Sequence, residues 1–179
     1  MNWRHILICW LISAFCVAAL PLPSHAQMVF ERAKIRIDPA ALPAPEVGKE
    51  NEPEPPQRES IILEVEMRSE DALRLEYIHE LNTLTPETGV LIALNSPSIM
   101  PLPAMQVFTP VDALFVDEEG AIVQILPNVV LGEMSRSIAA RAPIKAFIFL
   151  KAGQAAARAI RPHDIVTGSS FNPPPPVQE

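Results

Sequence analysis

Asp112 is the acid in this chain best placed to do chemistry. It stands inside an apolar run, VDALFV at residues 111–116, where the two-residue period of a strand puts it on one face with Leu114 and Val116. A carboxyl group drawn into apolar surroundings becomes a general acid or base when its protonation is shifted and a substrate can reach it. A second residue in hydrogen-bonding reach would complete such a site, and His163 and Lys145 are the candidates for a hydrolase or lyase working through Asp112. The competing role is structural, with the carboxylate accepting backbone N–H groups of the loop at 105–110.

The other chemical signals are thinner. His163-Asp164 sits in an Arg-Pro-His-Asp turn, where the pair is a candidate ligand contact; the alternative is a turn residue that tolerates a left-handed backbone. His79 and Glu80 are neighbours on a helical pattern and therefore point apart. Ser135 and Ser137 flank Arg136 without the glycines of a nucleophile elbow. No metal-ligand spacing, phosphate loop or dinucleotide fingerprint occurs, so neither metal nor cofactor is expected.

The elements that must position Asp112 form a hairpin. Residues 111–116 and 121–126 are apolar on both faces, as suits a strand covered on both sides. Between them Asp117-Glu118-Glu119-Gly120 is a turn, with Gly120 available for a left-handed backbone, and Pro127 ends the second run. Residues 60–68 alternate, with Ile61, Leu63, Val65 and Met67 inward and Glu64, Glu66 and Arg68 outward. Ser69 then caps a helix predicted over 70–81, on which Leu73, Tyr77 and Leu81 stack. Buried strands follow at 90–94 and 144–150, a short alanine-rich helix at 153–160, and a last strand at 164–167.

The ends of the chain have a different character. Arg4, an apolar run at 6–20 and Ser24-His25-Ala26 spell a secretory signal peptide over residues 1–26, cut after Ala26. A run of that length is short for a membrane span, so membrane contact is expected only before cleavage. Cys9 and Cys16 both lie in this segment, which leaves the mature chain without disulfide or thiolate chemistry; the bulky Phe15 argues against lipidation of Cys16. Removing the segment takes away Arg4 and none of the 21 acids, so the exported chain is more acidic than the −7 of the full sequence and a poor nucleic-acid ligand.

Residues 27–37 read as an isolated strand with Arg32, Lys34 and Arg36 on one face. That face suits an anionic partner or an assembly arm, or else a solvated surface on a strand that returns to its own domain. Residues 38–58, rich in proline and glutamate, read as a linker, and 171–179 as a polyproline tail serving as spacer or partner ligand. The domain proper then covers 59–170.

Within it the order of short motifs resembles the domain-of-unknown-function 192 family. Gly89-Val90-Leu91-Ile92 matches the family's glycine element, and Met105, Pro110, Val111 and Asp112 match its centre. Phe115 to Gly120 matches a strand end, Phe149 to Gly153 a later strand, and Ile160-Arg161-Pro162-His163-Asp164 the last turn. The resemblance implies a compact α+β domain with a curved, barrel-like mixed sheet and two short helices, and it implies no established reaction. Where the family pattern has Trp, Lys-Asn and Gly, this chain has Ala104, Gln106-Val107 and His163, which leaves Gln106 as the polar candidate of that segment. The reading is an exported, non-enzymatic domain, periplasmic or secreted, that binds an unknown envelope protein or small ligand; the alternative is the Asp112 hydrolase or lyase.

Overall fold

The computed structural model describes residues 31–40, 58–75 and 77–168. The expected signal peptide, most of the proline-rich segment and the expected polyproline tail lie outside these residues. Seven strands form one curled mixed sheet: β1 (Glu31–Asp38), β2 (Ile61–Ser69), β3 (Thr88–Ser98), β4 (Val111–Val116), β5 (Ile122–Val129), β6 (Ile144–Lys151) and β7 (Ile165–Thr167). Their spatial order is β5-β4-β6-β3-β2-β1-β7. Only β2 and β3 run parallel, and the remaining neighbours are antiparallel. The two ends of this order meet at one corner, where Ala121 bridges Ile165 and the Val166 N–H donates to the Gly120 carbonyl at 2.7 Å.

The apolar pattern explains the layers. All six residues of β4 are buried, because β4 lies between β5 and β6 and is covered on both faces. Phe115, Phe147 and Phe149 face one cluster with Val90, Ile92, Leu102 and Met105. Leu114, Val116, Ile148 and Leu150 face the other, with Ile35, Ile37, Leu63 and Val166. Phe147 meets Phe115 edge-on at 5.2 Å between ring centres. Gly89 fits where an added Cβ would press on Leu150 and the Phe149 carbonyl, so β3 and β6 approach closely there.

The helix expected at 70–81 is two separate 3₁₀ turns, Glu70–Arg74 and His79–Asn82. Leu75 between them is extended (φ −77°, ψ 136°), and Ser69 makes no side-chain cap. The four-residue spacing of Leu73, Tyr77 and Leu81 misled because Ile78 and Leu81 go inward while Tyr77 is 45% exposed. The second expected helix is a single turn, α1 (Gln154–Ala157). Ala159 ends it in the left-handed region (φ 53°), and the Ile160 N–H returns to the Ala155 carbonyl at 2.8 Å. Among the described residues the fold is therefore a sheet with few helical residues.

The N-terminal strand is not isolated. β1 pairs with β2 over seven residues, from Glu31 opposite Met67 to Ile37 opposite Ile61, and with β7 through Arg36, Ile37 and Asp38. The proline-rich segment therefore joins two adjacent strands of one sheet and does not separate modules. Pro127 does not end β5 but is carried within it. β5 is the terminal strand of the order, and a bulge falls there: Val111 faces Val129 while Ala113 faces Leu126.

Candidate functional site

Asp112 is completely buried, and both its oxygens are taken. Oδ1 accepts the Asn128 N–H at 2.9 Å, and Oδ2 accepts the Ala155 N–H at 2.8 Å. Asn128 is the left-handed residue (φ 53°) of the β5 bulge, whose N–H lacks a regular ladder partner. Ala155 lies in the first turn of α1, where backbone donors have no partner within the helix. The carboxylate thus satisfies two backbone groups that local structure leaves over. These partners replace the 105–110 loop expected from the sequence.

Asp164 is equally occupied. Arg58 donates to both its oxygens, Nη1 to Oδ2 at 2.7 Å and Nη2 to Oδ1 at 2.8 Å. The Ala40 N–H adds a bond to Oδ1 at 2.9 Å and the Arg161 N–H one to Oδ2 at 2.8 Å. Burial alone would raise this carboxyl's pKa, but the Arg58 hydrogen bonds, the two backbone amides and the Arg58 charge together hold it below its ordinary value. The same pairing holds the Arg58 guanidinium's pKa above its own. Residues near the two ends of the proline-rich segment, Ala40 and Arg58, therefore converge on one carboxylate.

The remaining candidates do not assemble with these acids. His163 is exposed, has φ 74°, and its N–H donates to the Ile122 carbonyl at 2.8 Å, so its backbone serves the corner where the sheet ends meet. Lys145 Nζ donates to the Asn95 carbonyl at 2.9 Å. Gln106 is exposed on the loop before β4, between the buried Met105 and Val107. Ser135 is buried and donates to the Pro103 carbonyl at 2.8 Å. Among the described residues no three His, Cys, Asp or Glu side chains are grouped as metal ligands.

One feature was invisible in the sequence. The outer faces of β1 and β2 and the turn at 83–88 enclose a cleft of about 200 Å³. Glu64, Glu66 and Glu80 line it with Arg32, the hydroxyl residues Thr83, Thr85 and Thr88, and Leu84 and Gly89. The β1–β2 register sets Arg32 opposite Glu66 and Lys34 opposite Glu64. Arg68, its side chain 7% exposed, donates through Nη2 to Glu66 Oε1 at 2.5 Å and to Glu80 Oε2 at 2.7 Å. Alternation alone gave each strand a charged outer face, but only the long-range register shows that the basic face of β1 meets the acidic face of β2.

With this geometry in hand, a family profile for DUF192, described as an uncharacterized ACR, matches residues 55–168. The chain belongs to the DUF192 family. The match covers the sheet from β2 to β7 and contains every motif on which the resemblance was drawn. No curated protein matches this DUF192 chain. Among solved structures, one from Sinorhizobium meliloti 1021, described as a candidate transcription regulator, superposes with a TM-score of 0.61 at 20% identity. That alignment covers 79% of this chain and 96% of the other. A protein of unknown function from Novosphingobium aromaticivorans DSM 12444 gives a TM-score of 0.60 at 17% identity, over 80% and 89% of the two chains. At these identities the likeness is one of fold.

Proposed function

We propose that this DUF192 protein is an exported, non-enzymatic domain of the bacterial cell envelope that binds a small ligand or partner, with the β1–β2 cleft as its site. The observation that carries the non-enzymatic part is Asp112: fully buried, with both oxygens accepting backbone N–H groups. This geometry weighs against the hydrolase or lyase alternative, in which Asp112 would work with His163 or Lys145. Export is supported by the signal-like residues 1–26. A nucleic-acid role, which the description of the S. meliloti protein raises, finds no support in a chain of net charge −7.

Cell fractionation with N-terminal sequencing, followed by crosslinking in the envelope, tests the reading. The expected result is a processed chain beginning at Gln27 outside the cytoplasm and crosslinks through the cleft residues. An unprocessed cytoplasmic chain would sink the export reading. An Asp112→Asn protein that keeps its fold and loses a detectable activity would restore the enzyme alternative.

A further inference from the structure

We infer that the cleft's ligand is a neutral, polyhydroxylated molecule of about one sugar ring, an inference that rests on the cleft being the binding site. Charge balance comes first. Glu64 and Glu66 stand opposite Lys34 and Arg32 across the β1–β2 ladder, and Arg68 pairs with Glu66 and Glu80. Together with Arg32 and Lys34, Arg68 thus sets three basic residues against the three acids. A charged ligand would lose its hydration without meeting a net opposite charge.

The lining nevertheless carries hydrogen-bonding groups of both kinds. The carboxylates accept, the Arg32 guanidinium donates, and the hydroxyls of Thr83, Thr85 and Thr88, although bonded to one another or to the turn backbone, keep further hydrogen-bonding capacity. Neighbouring hydroxyl groups of a sugar, each both donor and acceptor, match such a mixture, whereas an ammonium, a phosphate or an apolar molecule matches only part of it. A volume of about 200 Å³ falls below the roughly 300–1,000 Å³ of sites for drug-sized ligands and suits a single ring. No aromatic side chain lines the cleft to stack on that ring, so the affinity belongs on the order of millimolar.

Amide chemical shifts of the purified protein titrated with D-glucose, N-acetylglucosamine, spermidine and inorganic phosphate test this. Either sugar should move the amides of Glu64, Glu66, Thr83 and Thr88, with an affinity that hardly changes up to roughly 0.5 M salt. Thr83→Val and Glu64→Leu, both at exposed positions, should each weaken that binding roughly tenfold, with the fold intact by the remaining shifts. If spermidine or phosphate moves the same amides more strongly, and salt abolishes it, the ligand class is wrong while the site stands. If no probe moves them, both the ligand class and the site are overturned.

Discussion

Asp112 and Ala155 lie 43 residues apart in the chain, yet the carboxylate of the first accepts the backbone N–H of the second at 2.8 Å in a buried setting. With the Asn128 N–H on its other oxygen, Asp112 ties together the β5 bulge and the start of α1. Asp112→Asn keeps the size but places an NH₂ group against one of two backbone donors. Losing a charge-assisted bond and stranding a buried N–H should cost about 3 kcal/mol. Urea unfolding at neutral pH measures this, and a change within about 0.5 kcal/mol would show that the two bonds do not matter to the fold.

Asp164 predicts how stability depends on pH. Its folded pKa lies below the ordinary 3.8, so its contribution is fully present above the unfolded value and is lost as the pH falls through the folded one. Asp164→Asn removes the charge that Arg58 grips and should separate most from wild type at neutral pH. The difference should narrow below about pH 4, as wild type loses the same charge. Urea midpoints for both proteins across that range provide the check. A gap that stays constant down to strong acid would mean that the Arg58–Asp164 pair adds nothing specific.

How much of this was legible in the sequence depends on how far apart the interacting groups lie. The β4–β5 hairpin was readable because its turn and both its strands are local, and Gly120 does take a left-handed backbone (φ 85°). The two 3₁₀ turns were not, because the spacing of Leu73, Tyr77 and Leu81 fits a helix and only packing against the sheet decides which of them goes inward. Asp112 was recognisable as an acid in a buried strand, but its partners are 16 and 43 residues away. The cleft needed still more: the register of β1 on β2, with a long proline-rich segment between them, decides that Arg32 faces Glu66.

Gly120 marks the corner where the two ends of the sheet order meet. A Cβ there would lie 2.5 Å from the Val166 carbonyl oxygen, and the residue's φ of 85° disfavours any L side chain. The left-handed penalty and the overpacking together should make Gly120→Ala cost about 3 kcal/mol. The loss should be concentrated at the corner: hydrogen exchange of the Val166 amide, which donates to the Gly120 carbonyl, should speed up more than that of amides in β4. Equal loss of protection throughout would show that this corner is no weaker than the rest of the sheet.

His163 occupies the position where the family pattern carries glycine, and its φ of 74° is the conformation glycine adopts without strain. Two roles for the histidine then make opposite predictions. If it is only a turn residue, His163→Gly relieves a left-handed penalty of about 1 kcal/mol and gives part of that back through the freer unfolded chain. Thermal unfolding should then show a variant unchanged or up to about 0.5 kcal/mol more stable, because the N–H that bonds the Ile122 carbonyl is kept. If the exposed imidazole contacts a ligand, stability follows the same course but any binding detected by chemical shift is lost. We expect the first outcome, with binding at the cleft unchanged, because the ring has no described partner linking it to the cleft lining. Lost binding with stability retained would move the functional site to the turn at 161–164.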